Sequence, residues 1–308
     1  MLRRIARSLF AVTAAGVTAT TLGFAAAGAA SAAGTAPHLI QPPSGGTPVY
    51  TNTNCGPVCA MAGYQASGRD FRYVQAVIKV PTTPGNVITS PDLYVGLNDG
   101  VLTSTSEPES GAWAGIEPCN SGLGCTNGWE GFYQVFEDGS PGVDVFTVPL
   151  TGVVPGDGVF FSIYFNSVGN ADRFVIMLPN GDTAGQTVAV HGPVYTSAIA
   201  VADWSFTDTS PSPAAQQGKT RVAQFLQGRF TTLNGQQGTF NGPWSLNPVE
   251  ATTNGFAPPH GTLIAAPAYL WTDANSFKGL WGDAFGVWIY GTGATPTPTL
   301  SPPSAPDL

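Results

Sequence analysis

Charged residues are scarce in this sequence: they make up 10% of its 308 residues, against about 25% in an average globular protein. Lysine occurs three times, at Lys79, Lys219 and Lys278. Three of the eleven basic residues and none of the nineteen acidic ones lie in the first 32 residues, so the remaining chain has a formal charge of −11. Such a surface argues against nucleic acid as a partner. Because few positive charges would repel one another once the carboxylates protonate, we expect the fold to tolerate acid.

Long apolar runs are absent after residue 32, which argues against a membrane-spanning helix of about 20 residues. The first 32 residues are different. Three arginines occur within the first seven residues, residues 5–30 form an apolar, alanine-rich run, and residues 30–32 read Ala-Ser-Ala, a small-x-small cleavage site. We interpret residues 1–32 as a signal peptide and expect a secreted protein.

Cysteine is also rare, with four copies in two close pairs. An exported protein favours disulfides, and proximity favours Cys55–Cys59 and Cys119–Cys125 among the three possible connectivities. Zinc is the alternative, but the spacings are not Cys-x-x-Cys and the three histidines lie far away in sequence. We therefore predict no metal and no cofactor.

Helical periodicity is nearly absent after the signal peptide, and short runs rich in β-branched and aromatic residues alternate with Gly, Pro, Asn and Asp clusters. This pattern predicts an all-β domain, a sandwich or a barrel. The domain is expected over residues 55–292, after an irregular arm (33–54) and before a Pro/Thr-rich disordered tail (293–308), and as a monomer. The predicted strands cover residues 71–80, 93–97, 131–137, 143–148, 158–166, 173–178, 187–190, 198–206, 221–232 and 285–290. Asn180-Gly181 predicts a hairpin.

The stretch from residue 91 to 138 concentrates the candidate functional groups. Two predicted strands flank what reads as a loop, which carries Glu117 and the Cys119–Cys125 pair. Strand alternation places Tyr133 on the opposite face from Phe132 and Gln134. A rigid sheet with polar groups among aromatic residues, beside a pinned loop, is typical of a binding cleft.

Five segments in order resemble the glutamic peptidase (eqolisin) family over residues 62–240. They are Ala62-Gly63-Tyr64 with the strand ending Val80-Pro81, Tyr94-Val-Gly-Leu-Asn-Asp-Gly100, Phe132-Tyr-Gln-Val-Phe136, Pro155-Gly-Asp157 and Ala202-Asp203-Trp204. The resemblance implies a lectin-like (concanavalin-type) jelly roll, a β-sandwich of two antiparallel sheets with a substrate groove. It also implies acid cleavage of polypeptides by a Glu/Gln dyad, in which the carboxylate is the general base and the amide stabilises the oxyanion.

The chain departs from the family at the dyad. Asp203 stands at the glutamate position, no glutamine occurs between residues 111 and 119, and Gln134 stands where the family has a glutamate. In a first hypothesis two carboxylates share a proton, with Asp203 as base, Glu117 as protonated donor and Gln134 as helper.

Two further hypotheses need no catalysis. In one, the groove binds an extracellular peptide or glycan on aromatic side chains, for which the candidates are Trp113, Tyr133, Trp204 and Tyr64. In the other, the resemblance extends to the sandwich fold and not to the function, and the protein is a secreted structural or interaction module.

Overall fold

The computed structural model describes residues 38–40, 48–52, 61–82, 85, 90–100, 110–119, 125–137, 144–191, 194–203, 222–240, 246–252, 263–271 and 285–289. This part of the chain consists of strands and turns, without an α-helix, so none of its elements is a helix able to cross a membrane. Its seventeen strands are β1 (His38–Ile40), β2 (Val49–Asn52), β3 (Met61–Ser67), β4 (Phe71–Lys79), β5 (Asp92–Asn98), β6 (Gly111–Pro118), β7 (Trp129–Phe136), β8 (Asp144–Val148), β9 (Gly158–Asn166), β10 (Ala171–Met177), β11 (Thr183–Ala189), β12 (Ser197–Asp203), β13 (Val222–Thr232), β14 (Gln237–Thr239), β15 (Leu246–Thr252), β16 (Leu263–Trp271) and β17 (Phe285–Ile289).

Two layers of strands form the fold. The front sheet runs β8-β7-β6-β5-β12-β3-β15, all antiparallel, and β2 adds a parallel strand beside β15. The back sheet runs β11-β10-β9-β4-β13-β17-β16-β1, with β14 as a short hairpin partner of β13. Pairing of β15 with β16 joins the layers at one edge.

The main core lies between the two sheets and follows the two-residue period of the strands. On β4, Val74, Ala76 and Ile78 are buried while the residues between them are half-buried. Aromatic rings fill the centre, where Phe285 stacks on Phe225 with ring centroids 4.8 Å apart and meets Tyr64 edge to face at 5.0 Å. Such pairs add specific geometry to the burial that drives the sheets together.

A second apolar cluster lies on the other side of the front sheet. Its buried members are Met61, Tyr94, Phe132, Ile199, Val201 and Val249, with Val49 and Trp113 packed against them. We call this side of the sheet the front face. Because both sides of these strands are apolar, the front sheet reads as nearly continuous hydrophobic runs in sequence.

These observations confirm the prediction of an all-β, two-sheet antiparallel sandwich. The Asn180-Gly181 hairpin is present, since β10 and β11 pair across a turn in which the Gly181 amide donates to the Leu178 carbonyl. The predicted loop around Glu117 is wrong, because Glu117 lies in β6. Other predictions concern parts of the chain outside the described residues: the signal peptide, the tail, Cys55, Cys59 and Trp204.

Candidate active site

Side chains on the front face stand in rows across the strands, because directly paired residues share a face. The first row contains Met61, Asp203 and Asp92, which are cross-strand partners on β3, β12 and β5. The same row continues on β6 and β7 with the paired residues Glu117 and Glu130. The register that pairs Leu93 with Ile116 places Asp92 opposite Glu117.

Four carboxylates therefore stand side by side on four neighbouring strands. We call Asp203, Asp92, Glu117 and Glu130 the acidic row. Glu130 is fully buried and Asp203 is 6% exposed, whereas Asp92 and Glu117 are half-buried. The exposed part of the row is therefore at Asp92 and Glu117. Directly paired Cα atoms lie about 5 Å apart, so Asp92 is the near neighbour of Asp203, and Glu117 is two strands away, about 10 Å.

Tyr94 anchors Asp203. It comes from the next row of the front face and donates a hydrogen bond from its hydroxyl to Asp203 Oδ2, at 3.2 Å. The Tyr94 side chain is almost completely buried, and Met61 Sδ lies 4.0 Å from the same hydroxyl. A buried phenol that binds one oxygen of a carboxylate fixes the orientation of the group.

An aromatic stack covers the middle of the front face. Trp113 stacks on Tyr94 with centroids 4.9 Å apart and meets Phe136 edge to face at 4.5 Å. Its indole Nε1 donates to Asn98 Oδ1 at 2.7 Å. Trp113 is half-buried, while Tyr94 beneath it is not accessible. Of the aromatic candidates that fall within the described residues, Trp113 is the one that the structure places near Asp203, through Tyr94.

Two strand-interior glycines make room for this stack. A Cβ on Gly96 would lie 2.5 Å from Trp113 Cδ1, and one on Gly115 would lie 1.9 Å from the Leu93 carbonyl oxygen and 2.6 Å from Tyr94 Cβ. Glycine within a strand often marks such a close approach. The position of Tyr94, and with it the hydrogen bond to Asp203, depends on these two residues.

We expect Gly115→Ala to destabilise the protein by about 2–4 kcal/mol, because the new methyl group collides with backbone atoms and must push β5 and β6 apart. Gly169→Ala is the matched control, since its Cβ would meet only the flexible Asn166 side chain, and we expect a change below about 1 kcal/mol. Chemical denaturation of both variants measures the difference. Equal stability of the two variants would show that β5 and β6 are not this close.

Gln134 lies on the front face but away from Asp203. It is paired with Trp113, four residues along β7 from Glu130, and three strand spacings, across β6 and β5, separate it from β12. In a regular sheet these offsets amount to about 20 Å. Gln134 and Asp203 therefore do not contact one carbonyl group together, and the acidic row offers the nearer partners.

Tyr133 and Tyr64 face the main core, not the front face. Tyr133 stacks on Phe146 and Phe174 at 4.7 and 4.8 Å, and its hydroxyl bonds to Gln186 on the back sheet. Burial raises the pKa of Tyr133 to about 12. Alternation separated Tyr133 from Phe132 and Gln134 correctly, but did not indicate which side was the core. Both tyrosines are placed where they hold the two layers together.

A disulfide links Cys119 to Cys125 beside the acidic row, with Cα atoms 6.0 Å apart. The ligand atoms of Cys119, Cys125 and Glu130 lie within 4.8 Å of one another. Because the two sulfurs are bonded to each other, they are not thiolates that could hold a metal ion. The disulfide instead joins the residue after β6 to the segment just before β7, where the Cys119 amide also donates to the Gly128 carbonyl.

The sequence interpretation missed Asp92. It stands between a proline and a leucine and belongs to no motif, so nothing in the local sequence singles it out. Its position opposite Asp203 follows from the β5–β12 register. Alternation along β5 was the available signal, because it places Asp92 on the same side as Tyr94.

No family model matches the chain, and no curated protein matches it significantly. Two peptidases are among the solved structures that are similar to it. One is the crystal structure of scytalido-glutamic peptidase with a transition state analog inhibitor, at 12% identity and a TM-score of 0.49, covering 75% of this chain and 98% of that chain. The other is SCP-B, a member of the eqolisin family of peptidases, in a complex with the tripeptide Ala-Ile-His, at 11% identity and a TM-score of 0.48, with the same coverage.

Proposed function

We propose that this protein is a secreted, acid-acting endopeptidase that uses two carboxylates of the acidic row in place of a Glu/Gln dyad. The observation that carries the proposal is the placement of Asp203: it is held by Tyr94 and stands directly opposite Asp92 on the front face. The five sequence segments that resemble glutamic peptidases support the same assignment, since one of them places Asp203 at the position of that family's catalytic glutamate.

In the proposed reaction Asp203 is the general base. It takes a proton from a water molecule while the water oxygen attacks the carbonyl carbon of a peptide bond. Asp92, protonated, donates its hydrogen to the carbonyl oxygen, which becomes the hydroxyl of the tetrahedral intermediate. When the intermediate collapses, the carbon–nitrogen bond breaks and Asp203 returns its proton to the leaving amine. One hydroxyl of the intermediate gives its proton back to Asp92 as the carbonyl re-forms, which restores both carboxyl groups. Glu117 lies on the far side of Asp92 and is the alternative donor from the sequence.

The need for one protonated and one ionised carboxyl group explains the expected acid optimum. Two carboxylates at this separation do not easily ionise together, and at neutral pH the donor would be lost. The low charge of the chain suits the same conditions, because acid leaves few like charges to repel one another.

Binding without catalysis is the second candidate, and the half-exposed Trp113 favours it. The indole is already oriented by Asn98 and Tyr94, and a preoriented aromatic ring is a suitable contact for an extended peptide or a sugar. In this case the front face would bind the ligand and release it unchanged.

The test is hydrolysis of unfolded casein by the purified protein, measured from acidic to neutral pH, with near-ultraviolet circular dichroism at each pH to show that the protein is folded. We expect cleavage confined to acid. A folded protein that releases no fragments at any pH would contradict the peptidase and leave the binding candidate. Saturable peptide binding that Trp113→Ala removes would then identify the front face as the site.

A further inference from the structure

The outward side of the back sheet has an unusual charge composition for this chain. We call the side of β11, β10, β9, β4 and β13 that faces away from the main core the back face. Three of the five lysine and arginine residues that the structure describes lie on it: Lys79, Arg173 and Arg229. Among the described side chains of these five strands that point outward, none is an aspartate or a glutamate. Within the described part of this acidic chain, the back face therefore carries positive charges without acidic side chains among them.

Two tyrosines lie between the arginines. Arg173 on β10 is paired with Tyr164 on β9, which is paired with Tyr73 on β4. Arg229 stands one row away, paired with Gln75. Arg173, Arg229 and Tyr164 are exposed, and Tyr73 is half-buried. The row therefore consists of a cation and two neighbouring aromatic rings on a flat sheet, with the second cation near its end.

Hydrogen bonds hold the centre of this surface in place. The Tyr73 hydroxyl donates to Gln75 Oε1 at 2.7 Å, and Gln75 Nε2 donates to the Gln227 carbonyl at 3.3 Å. The positive charge of Arg229 acts on Tyr73, where it opposes the rise in pKa that burial causes. Side chains ordered before binding lose less entropy when a ligand arrives.

The two arginines are far apart. Three strand spacings and one side-chain row separate Arg173 from Arg229, which in a regular sheet amounts to about 16 Å. Lys79 lies further along β4, where burial lowers its pKa and the negative charge of Asp157 partly offsets that effect. A ligand that matches this surface carries widely spaced negative charges and flat, partly apolar faces between them.

We propose that the back face binds an anionic polysaccharide, with uronate carboxylates on Arg173 and Arg229 and sugar rings on Tyr164 and Tyr73. Sugar rings present C–H groups that pack on aromatic faces, and arginine binds carboxylates with two parallel hydrogen bonds. Duplex DNA carries a charge about every 1.7 Å and is bound through many phosphate contacts, which three cations do not supply. The isoelectric point of the full sequence is about 4.6, so at about pH 5 the net negative charge that opposes the complex is small compared with that at neutral pH.

The test uses polygalacturonate as probe, at about pH 5 and low salt, where its carboxylates are largely ionised. We expect saturable binding to the purified protein that weakens as salt is added. The double variant Arg173→Gln, Arg229→Gln should bind about tenfold or more weakly, since it loses two charge-assisted contacts. Tyr164→Ala should also weaken binding, whereas Arg69→Gln should not. Arg69 is an exposed arginine in the turn before β4, so it controls for the loss of positive charge.

Four outcomes would overturn the proposal. If the wild-type protein does not bind polygalacturonate, anionic polysaccharide is not the ligand. If Arg69→Gln weakens binding as much as the double variant does, the loss reflects overall charge and not the back face. Binding of neutral dextran at the same strength would show that the arginines are not used. Tighter binding of single-stranded or duplex DNA would identify a nucleic-acid surface instead. Circular dichroism of each variant shows whether it is folded.

Discussion

Asp203→Asn is expected to lower the rate of casein cleavage at acid pH by about three orders of magnitude, because general-base catalysis contributes 10²–10⁴-fold in enzymes that use it. The amide has the shape of the carboxyl group and still accepts the hydrogen bond from Tyr94, but it does not take a proton from water. Comparison of kcat at saturating casein isolates the chemical step. The melting temperature should change little.

The control for this variant is Asp70→Asn, which removes one negative charge from an exposed turn between β3 and β4 and should leave kcat unchanged. Asp92→Asn and Glu117→Gln then distinguish the two proton donors. Since Asp92 is the direct neighbour of Asp203, we expect the larger loss in Asp92→Asn. Full activity in Asp203→Asn would reject the assignment of the base, and a loss confined to Glu117→Gln would assign the donor role to Glu117.

Strand periodicity predicted the central strands of the back sheet well, missed β16 near its edge, and predicted the front sheet less well. β9 matches its predicted range, and β4 and β13 differ from theirs by one residue. These strands alternate between a buried and an outward side, which is the pattern that sequence reading detects. β6 was read as a loop because glycine and alanine replace β-branched residues there. The structure gives the reason. The backbone of β5 lies so close to Gly115 that a side chain has no room there, and β6 therefore lacks the β-branched residues by which a strand is usually identified in sequence.

The candidate site could be predicted in part. The motif around Asp203 placed one carboxylate, and the family resemblance directed attention to the sheet that carries it. The partner of Asp203 could not be found in this way, because Asp92 meets it only through the pairing of two strands distant in sequence. Tyr133 and Tyr64 are of a residue type that often stacks on ligands. They are buried between the sheets instead, because tertiary packing decides which side of a strand faces the core, and the local sequence does not show this.

A second carboxyl group, Asp172, should control stability rather than activity. It lies on β10, fully buried, on the side that faces the main core, and the Tyr195 hydroxyl donates to its Oδ2 at 2.5 Å. The pKa of Asp172 is raised to about 7, chiefly by burial; the hydrogen bond from Tyr195 opposes the rise, and the nearby Glu137 adds to it. Glu137 in turn binds the exposed His191, with His191 Nδ1 2.7 Å from Glu137 Oε2.

The sign of the pH dependence follows from these values. The pKa of Asp172 is higher in the folded protein than its ordinary value of 3.8, so the folded state holds the proton more tightly than the unfolded state does. The stabilisation is complete below about pH 4 and is lost as the pH rises to about 7. A shift of this size corresponds to about 4 kcal/mol. We therefore expect the free energy of unfolding to fall by several kcal/mol between pH 4 and pH 8.

Asp172→Asn removes this titration, because an amide is neutral at every pH and still accepts the hydrogen bond from Tyr195. Urea denaturation of both proteins at intervals from pH 4 to pH 8 should give a decline in the wild type that is much smaller in the variant, so that the variant is the more stable protein at pH 8. The control Asp182→Asn, in the exposed turn between β10 and β11, should show the same decline as the wild type. Any titration of Glu137 and His191 contributes equally to all of these proteins and so does not change the comparison. Parallel curves for wild type and Asp172→Asn would show that Asp172 is not the group that titrates. If the curves diverge as expected, cleavage is lost towards neutral pH for two reasons: ionisation of Asp172 destabilises the fold, and the acidic row loses its protonated donor. In the Asp172→Asn variant the first cause is absent, so its pH profile of kcat reports the second.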